Sequence, residues 1–249
     1  MTNLPVALDH VLAATLAVLF PIRAVFFGYR RLTLADLLDV PRVRMSLYRQ
    51  GIAIQWGLAA FALTLWLWQR RPLADLGLQP RFTWGLLGVA AGFAIVAAYV
   101  LVQRRNALAD DQALGRLREQ MQNLERMLPH SRVELTWFAR LAVTAGICEE
   151  LLYRGYLIWY LEHWTGLVPA ALVASVVFGF GHAYQGPRGV VVTTLVGLVM
   201  SAAYLITGSL VAGMVIHALM DLHAGHMAQV AFARAESTPE PPAGEIPAV

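Results

Sequence analysis

The chain has 249 residues, of which 58% are hydrophobic and 14% charged, against about 25% charged residues in an ordinary soluble domain. With a positive mean hydropathy, this composition excludes a soluble globular protein and identifies an integral membrane protein. A net charge of +3 would suit a nucleic-acid partner in a soluble chain, but here the basic residues fall between apolar runs, as inside-facing loops do, so no nucleic acid is expected.

Apolar runs near 7–28, 50–68, 83–103, 137–161, 166–183, 189–207 and 209–229 each approach or exceed the roughly 20 residues that carry a helix across about 30 Å of hydrocarbon. They predict an all-α polytopic bundle of about seven transmembrane helices, or eight if 31–49 is embedded. The first run lacks a basic leader and begins with Asp9 and His10, so it reads as a retained helix, interrupted by Pro21 and Arg23, and not as a signal peptide.

All 19 basic residues are arginine. Arg30, Arg31, Arg42, Arg44 and Arg49, and then Arg104 to Arg140, place two loops on the cytoplasmic side, with the N-terminus outside and the C-terminus inside. Arg70, Arg71 and Arg81 conflict with that count, and an extra embedded segment would remove the conflict. Residues 104–132 alternate charges with Leu114, Leu117, Met121 and Leu124 at helical spacing. They read either as an amphipathic helix on the membrane surface, ended by Pro129, or as a solvated linker helix.

Three parts follow from this pattern: N-terminal transmembrane helices with the amphipathic helix over 1–136, a core of four transmembrane helices over 137–229, and a Pro-rich disordered tail over 230–249. Cys148, the single cysteine, excludes an intrachain disulfide and reads as a small packing residue.

The core is almost free of arginine, yet it holds Glu149, Glu150, Arg154, His182, His217 and Asp221. A charged residue at a helix centre costs roughly 2.5–3.5 kcal/mol on insertion scales, so this set calls for mutual pairing within one buried site. Glu150 and Arg154 are four apart and share a helix face; Glu149 points about 100° away and can serve a different cavity. Phe178 and His182 repeat the spacing, as do His217 and Asp221, while Gly179 and Gly181 permit close approach of a neighbouring helix. Two imidazoles and a free carboxylate can activate water and stabilise an oxyanion. They can also ligate zinc, or simply serve as a polar zipper. His223 and His226 read as interfacial, and His163, Tyr153, Tyr156, Trp159 and Tyr160 as packing and belt residues.

The order Glu149-Glu150-Leu-Leu-Tyr-Arg154, Phe178-Gly-Phe-Gly-His182, His217-Ala-Leu-Met-Asp221 resembles the EExxxR, FxxxH and HxxxN/D motifs of the CPBP family, the CAAX-processing and bacteriocin-processing (Abi) intramembrane endopeptidases. The resemblance covers about 137–229. It implies that Glu149 and His182 activate water, that Glu150, Arg154 and Phe178 support them, and that His217 and Asp221 bind the oxyanion or orient the substrate carbonyl. Asp221 stands where the eukaryotic enzymes carry an amide. An ionised carboxylate there repels an oxyanion, so Asp221 must be protonated, paired with His217, or used for orientation. A glutamate-type reaction without cofactor is implied, with zinc on Glu149, His182 and His217 as the other option. The expected substrate is a membrane-associated peptide or protein, and the expected location a bacterial inner (cytoplasmic) membrane. A catalytically silent scaffold or immunity protein, and a transporter, are the competing readings.

Overall fold

The computed structural model describes residues 4–36, 38–79 and 84–237, and the described residues form helices without strands. α1 runs over Ala7–Leu34, α2 over Val40–Trp68 and α3 over Trp84–Ala109. A short α4, Asp111–Met121, is capped by Asp110, whose side chain accepts from Gln112 N–H at 3.0 Å. α5 spans 132–165, α6 Leu167–Gly181, α7 Gly186–Thr207 and α8 Val211–Ser237.

Pro21 does not interrupt α1. Proline lacks an N–H and crowds the carbonyl four residues back, and the helix absorbs this by widening into π-turns at Thr15–Leu19 and Arg23–Tyr29 on either side of a short α-helical piece. Residues 31–49 are likewise no separate span. Residues 31–34 end α1 and 40–49 form the first turns of α2, with Pro41 as its second residue. The expected amphipathic helix over 104–132 is also divided: α3 continues to Ala109, α4 follows, and a 3₁₀ turn at Gln122–Leu124 ends it. Leu114 of α4 is buried, and α4 packs on α8. Residues 230–237, expected within the tail, continue α8, whereas Pro239, Pro241, Pro242 and Pro247, like Arg81, lie outside the described residues.

Four helical stretches are long and apolar enough to cross a membrane: Ala7–Leu34, Val40–Trp68, Trp84–Asn106 and Ala183–Thr207. This is fewer than the seven or eight expected. α6 is apolar but shorter, while α5 and α8 carry the polar residues of the candidate site. The outer faces nevertheless suit lipid. Val168, Leu172, Val176 and Phe180 form an exposed stripe on α6, and Val191, Leu195 and Val199 one on α7, where a soluble monomer would not leave such contiguous apolar surface.

The core is shared among α1, α2, α5 and α6. Leu12, Leu16, Ala59, Trp66, Leu151, Leu152, Tyr156, Ala170 and Phe178 lie in one cluster, with Cys148 fully buried among them. A second buried polar group fastens one end of the bundle. Arg71 donates to both carboxylate oxygens of Asp9 at 2.9 and 2.6 Å, Tyr156 Oη donates to Asp9 Oδ1 at 2.8 Å, and the guanidinium lies 4.3 Å from the Trp159 ring centroid. Arg71 is therefore a buried structural charge and does not weigh in the loop count that it seemed to contradict.

Candidate active site

The motif helix α5 begins with a reciprocal cap. Ser131 accepts from Glu134 N–H, and Glu134 accepts from the Ser131 and His130 N–H groups. Glu134 also holds the buried Arg44 of α2 at 2.8 Å, which sets α2 alongside α5. The regular helix stops at Glu149, and Glu150–Leu157 is a π-helical segment. The whole EExxxR motif thus sits at the junction where the backbone widens, a feature often found at functional sites.

Glu150 is the hub of the ionic contacts. Its Oε1 lies 3.0 Å from Arg154 Nη1 and 2.9 Å from His217 Nδ1. Arg154 is fully enclosed, with Nη2 donating to Gly197 O at 3.4 Å and its guanidinium 4.2 Å from the centroid of Phe178. The aromatic ring of Phe178 also stands against His182, with centroids 4.8 Å apart, and edge-on to His217 at 6.0 Å. The three motifs therefore converge.

Glu149 has a different environment. Its Oε1 accepts from Gln55 Nε2 at 2.9 Å, while its buried Oε2 has no hydrogen-bond partner among the described residues and lies 3.8 Å from His217 Nε2. Glu149 lines a cavity of about 260 Å³ with His182, Tyr184, Gln185 and Asp221. Glu150 and Arg154 line a second, of about 150 Å³, shared with His182, His217 and Asp221. The two carboxylates thus serve different cavities, and His182 and Asp221 belong to both.

His182 follows the last residue of α6, with Nδ1 2.9 Å from Phe178 O. A carbonyl only accepts, so Nδ1 carries the hydrogen, and the neutral ring presents Nε2 as an acceptor. His217 arrives on α8, which approaches α5 closely at Gly146: a Cβ there would lie 2.7 Å from Ala218 N. Gly179 permits similar contact with α7, whereas a Cβ at Gly181 would meet only the Tyr153 hydroxyl at 3.6 Å. Asp221 Oδ2 lies 3.8 Å from His217 Nε2 and remains partly exposed. His163 donates within its own helix to Trp159 O.

Gln55 escapes the motif reading because it lies on α2, outside the core segment. The only sequence signal is an amide between Ile54 and Trp56 in an apolar run. For zinc, the fit is poor: among the described residues no group of three or more His, Cys, Asp or Glu side chains is arranged to hold a metal ion. Glu149, His182 and His217 line the site without forming such a shell.

No curated protein and no solved structure matches the chain. Residues 131–223, from the cap of α5 to just past His217 and Asp221 on α8, match the family model Type II CAAX prenyl endopeptidase Rce1-like, the same family that the three motifs resemble.

Proposed function

We propose that the protein is an intramembrane endopeptidase of the glutamate type, acting on membrane-associated peptides or proteins. The observation that carries this reading is the buried, unpartnered Oε2 of Glu149 in a cavity that it shares with His182. In this reaction Glu149 Oε2 takes a proton from water as the water oxygen attacks the scissile carbonyl carbon, and His182 Nε2 orients the same water. The negative charge that develops on the carbonyl oxygen faces His217. When doubly protonated, that ring donates Nδ1–H to Glu150 and Nε2–H toward the oxyanion. The proton held by Glu149 then passes to the leaving nitrogen and the C–N bond breaks, giving one carboxyl and one amine terminus.

The cavity walls bear on the substrate class. Leu47, Leu124, Met127, Leu128 and Phe138 line the approach to Glu149, which suits an apolar peptide segment. The approach runs toward the end of the bundle that carries Arg126 and Arg132, the cytoplasmic end by the charge rule. Seven bilayer crossings, with α5, α6 and α8 joining the four apolar helices, and a bacterial inner membrane complete the reading. In this mechanism no step is assigned to a metal, and the roles of Glu149, His182 and His217 are those of base, water ligand and oxyanion donor.

The test is cleavage of a membrane-peptide library, including prenylated CAAX peptides, by the purified protein in liposomes, read by mass spectrometry. Cleavage that is lost in Glu149→Gln and indifferent to chelator is the expected result. Chelator sensitivity would overturn the metal-free mechanism, and wild-type cleavage by Glu149→Gln would overturn the assignment of the base.

A further inference from the structure

Gln55 is 94% buried in the middle of α2, far in sequence from residues 131–223, and its amide belongs to the same cavity as Glu149. A carboxylate only accepts hydrogen bonds, so the amide nitrogen must be the atom that faces Glu149 Oε1 at 2.9 Å. The amide oxygen is thereby turned away from the carboxylate. Like Glu149 Oε2, Gln55 Oε1 is buried and has no hydrogen-bond partner among the described residues.

Two orphan acceptors on directly hydrogen-bonded groups form a specific arrangement. Buried polar atoms are almost always satisfied, so each orphan asks for a donor. Among the described residues neither oxygen accepts a hydrogen bond, and His217 Nε2, at 3.8 Å from Glu149 Oε2, stands beyond hydrogen-bond reach. For Glu149 Oε2 that donor is the water of the proposed reaction, in the cavity that the carboxylate shares with His182.

We infer that Gln55 is a positioning residue for the catalytic carboxylate: its Nε2 occupies Glu149 Oε1, so that Oε2 is the oxygen left to act as base on the water that His182 Nε2 orients. With one hydrogen held by Glu149 Oε2 and the other by His182 Nε2, the lone pairs of the water oxygen are left to face the scissile carbonyl. The inference rests on the endopeptidase reading and adds to it a residue outside the family-matched segment. The N-terminal helices then complete the site as well as surrounding it.

The test uses the full-length protein in nanodiscs and the peptide that the wild type cleaves fastest, with Gln55→Met, Gln55→Glu and Glu149→Gln in parallel. Gln55→Met keeps the length of the side chain but neither donates nor accepts in this way. It should lower kcat by about 100-fold, the scale of a misplaced reacting group, with KM and thermal midpoint unchanged. The infrared carboxyl band that disappears in Glu149→Gln should shift in Gln55→Met, a change that a merely structural role would not produce. Gln55→Glu restores a donor only when the introduced carboxyl holds a proton, so its activity should recover relative to wild type as pH falls.

Wild-type kcat in Gln55→Met, or an unshifted band, overturns the inference even where Glu149→Gln is inactive. Should Gln55→Met fail to fold, a Gln55→Glu pH profile parallel to wild type overturns it alone. Wild-type turnover by Glu149→Gln instead removes the catalytic reading and the inference with it.

Discussion

His217 donates Nδ1–H to Glu150 at 2.9 Å and holds its other ring nitrogen 3.8 Å from Glu149 Oε2. One imidazole on α8 thus links both members of the Glu pair on α5, which line separate cavities. The adjacent carboxylates are made unlike by their partners. Glu150 has a guanidinium and an imidazole in direct contact, whereas Glu149 has one amide hydrogen bond and an Oε2 that accepts none among the described residues.

That asymmetry sets the first prediction. Glu149→Gln removes the proposed base while keeping the shape of the side chain, and His182→Ala removes the ring proposed to orient water. Each should reduce kcat by about 10²- to 10⁴-fold, the range for loss of a general base, with little change in thermal midpoint. Single-turnover cleavage and a melting curve on the same preparation check both parts.

Arg154→Ala should act differently, because Glu150 and Arg154 are each only 1% exposed. Removing the guanidinium leaves a buried carboxylate with His217 alone, a change that costs about 3–5 kcal/mol when a buried pair is broken. The expected outcome is a lowered melting temperature and yield along with lost activity. Arg154→Lys should not rescue it, since an ammonium cannot reach Glu150 and Gly197 O while lying flat over Phe178. Wild-type stability in Arg154→Ala would show that the pair is dispensable for folding.

Much of this site is legible in the sequence because helical spacing is rigid. Residues four apart share a face whatever the tertiary fold, so the contact between Glu150 and Arg154, and that of Phe178 with His182, follow from position alone. Convergence of three helices does not. It depends on close packing at glycines such as Gly146, and in the sequence only the cost of burying charge and the family resemblance point to it. Gln55 carries no formal charge and stands alone in an apolar run, so the same cost signal is weak there. The Asp9 and Arg71 pair is hidden for another reason: its members lie 62 residues apart, and Arg71 reads as a loop charge until the fold buries it. The π-turns of α1 likewise have no simple periodic signature beyond Pro21.

The Asp9 pair supplies a third prediction, on stability. Arg71→Met strands a carboxylate that is fully buried and should cost about 3–5 kcal/mol, whereas Asp9→Leu combined with Arg71→Met should recover most of that loss, since apolar replacement of a whole buried pair is often neutral. Melting temperatures of the single and double variants form the cycle. A double variant as unstable as the single one would show that Tyr156 Oη, which also donates to Asp9, requires the carboxylate in its own right.

The last prediction joins packing to chemistry. A Cβ on Gly146 would lie 2.7 Å from Ala218 N and 2.8 Å from Met214 O, and these are backbone atoms that cannot rotate away. In Gly146→Ala, α8 must therefore move off α5, and His217, which lies between Met214 and Ala218, moves with it. Overpacking of this kind costs about 1–3 kcal/mol, and displacement of His217 from Glu150 should lower kcat by about 100-fold. Gly57→Ala is the control, because a Cβ there meets nothing within 4 Å; it should leave turnover unchanged. If Gly146→Ala lost stability yet kept wild-type kcat, α8 would be free to shift without disturbing the reaction, and the position of His217 would not govern the rate.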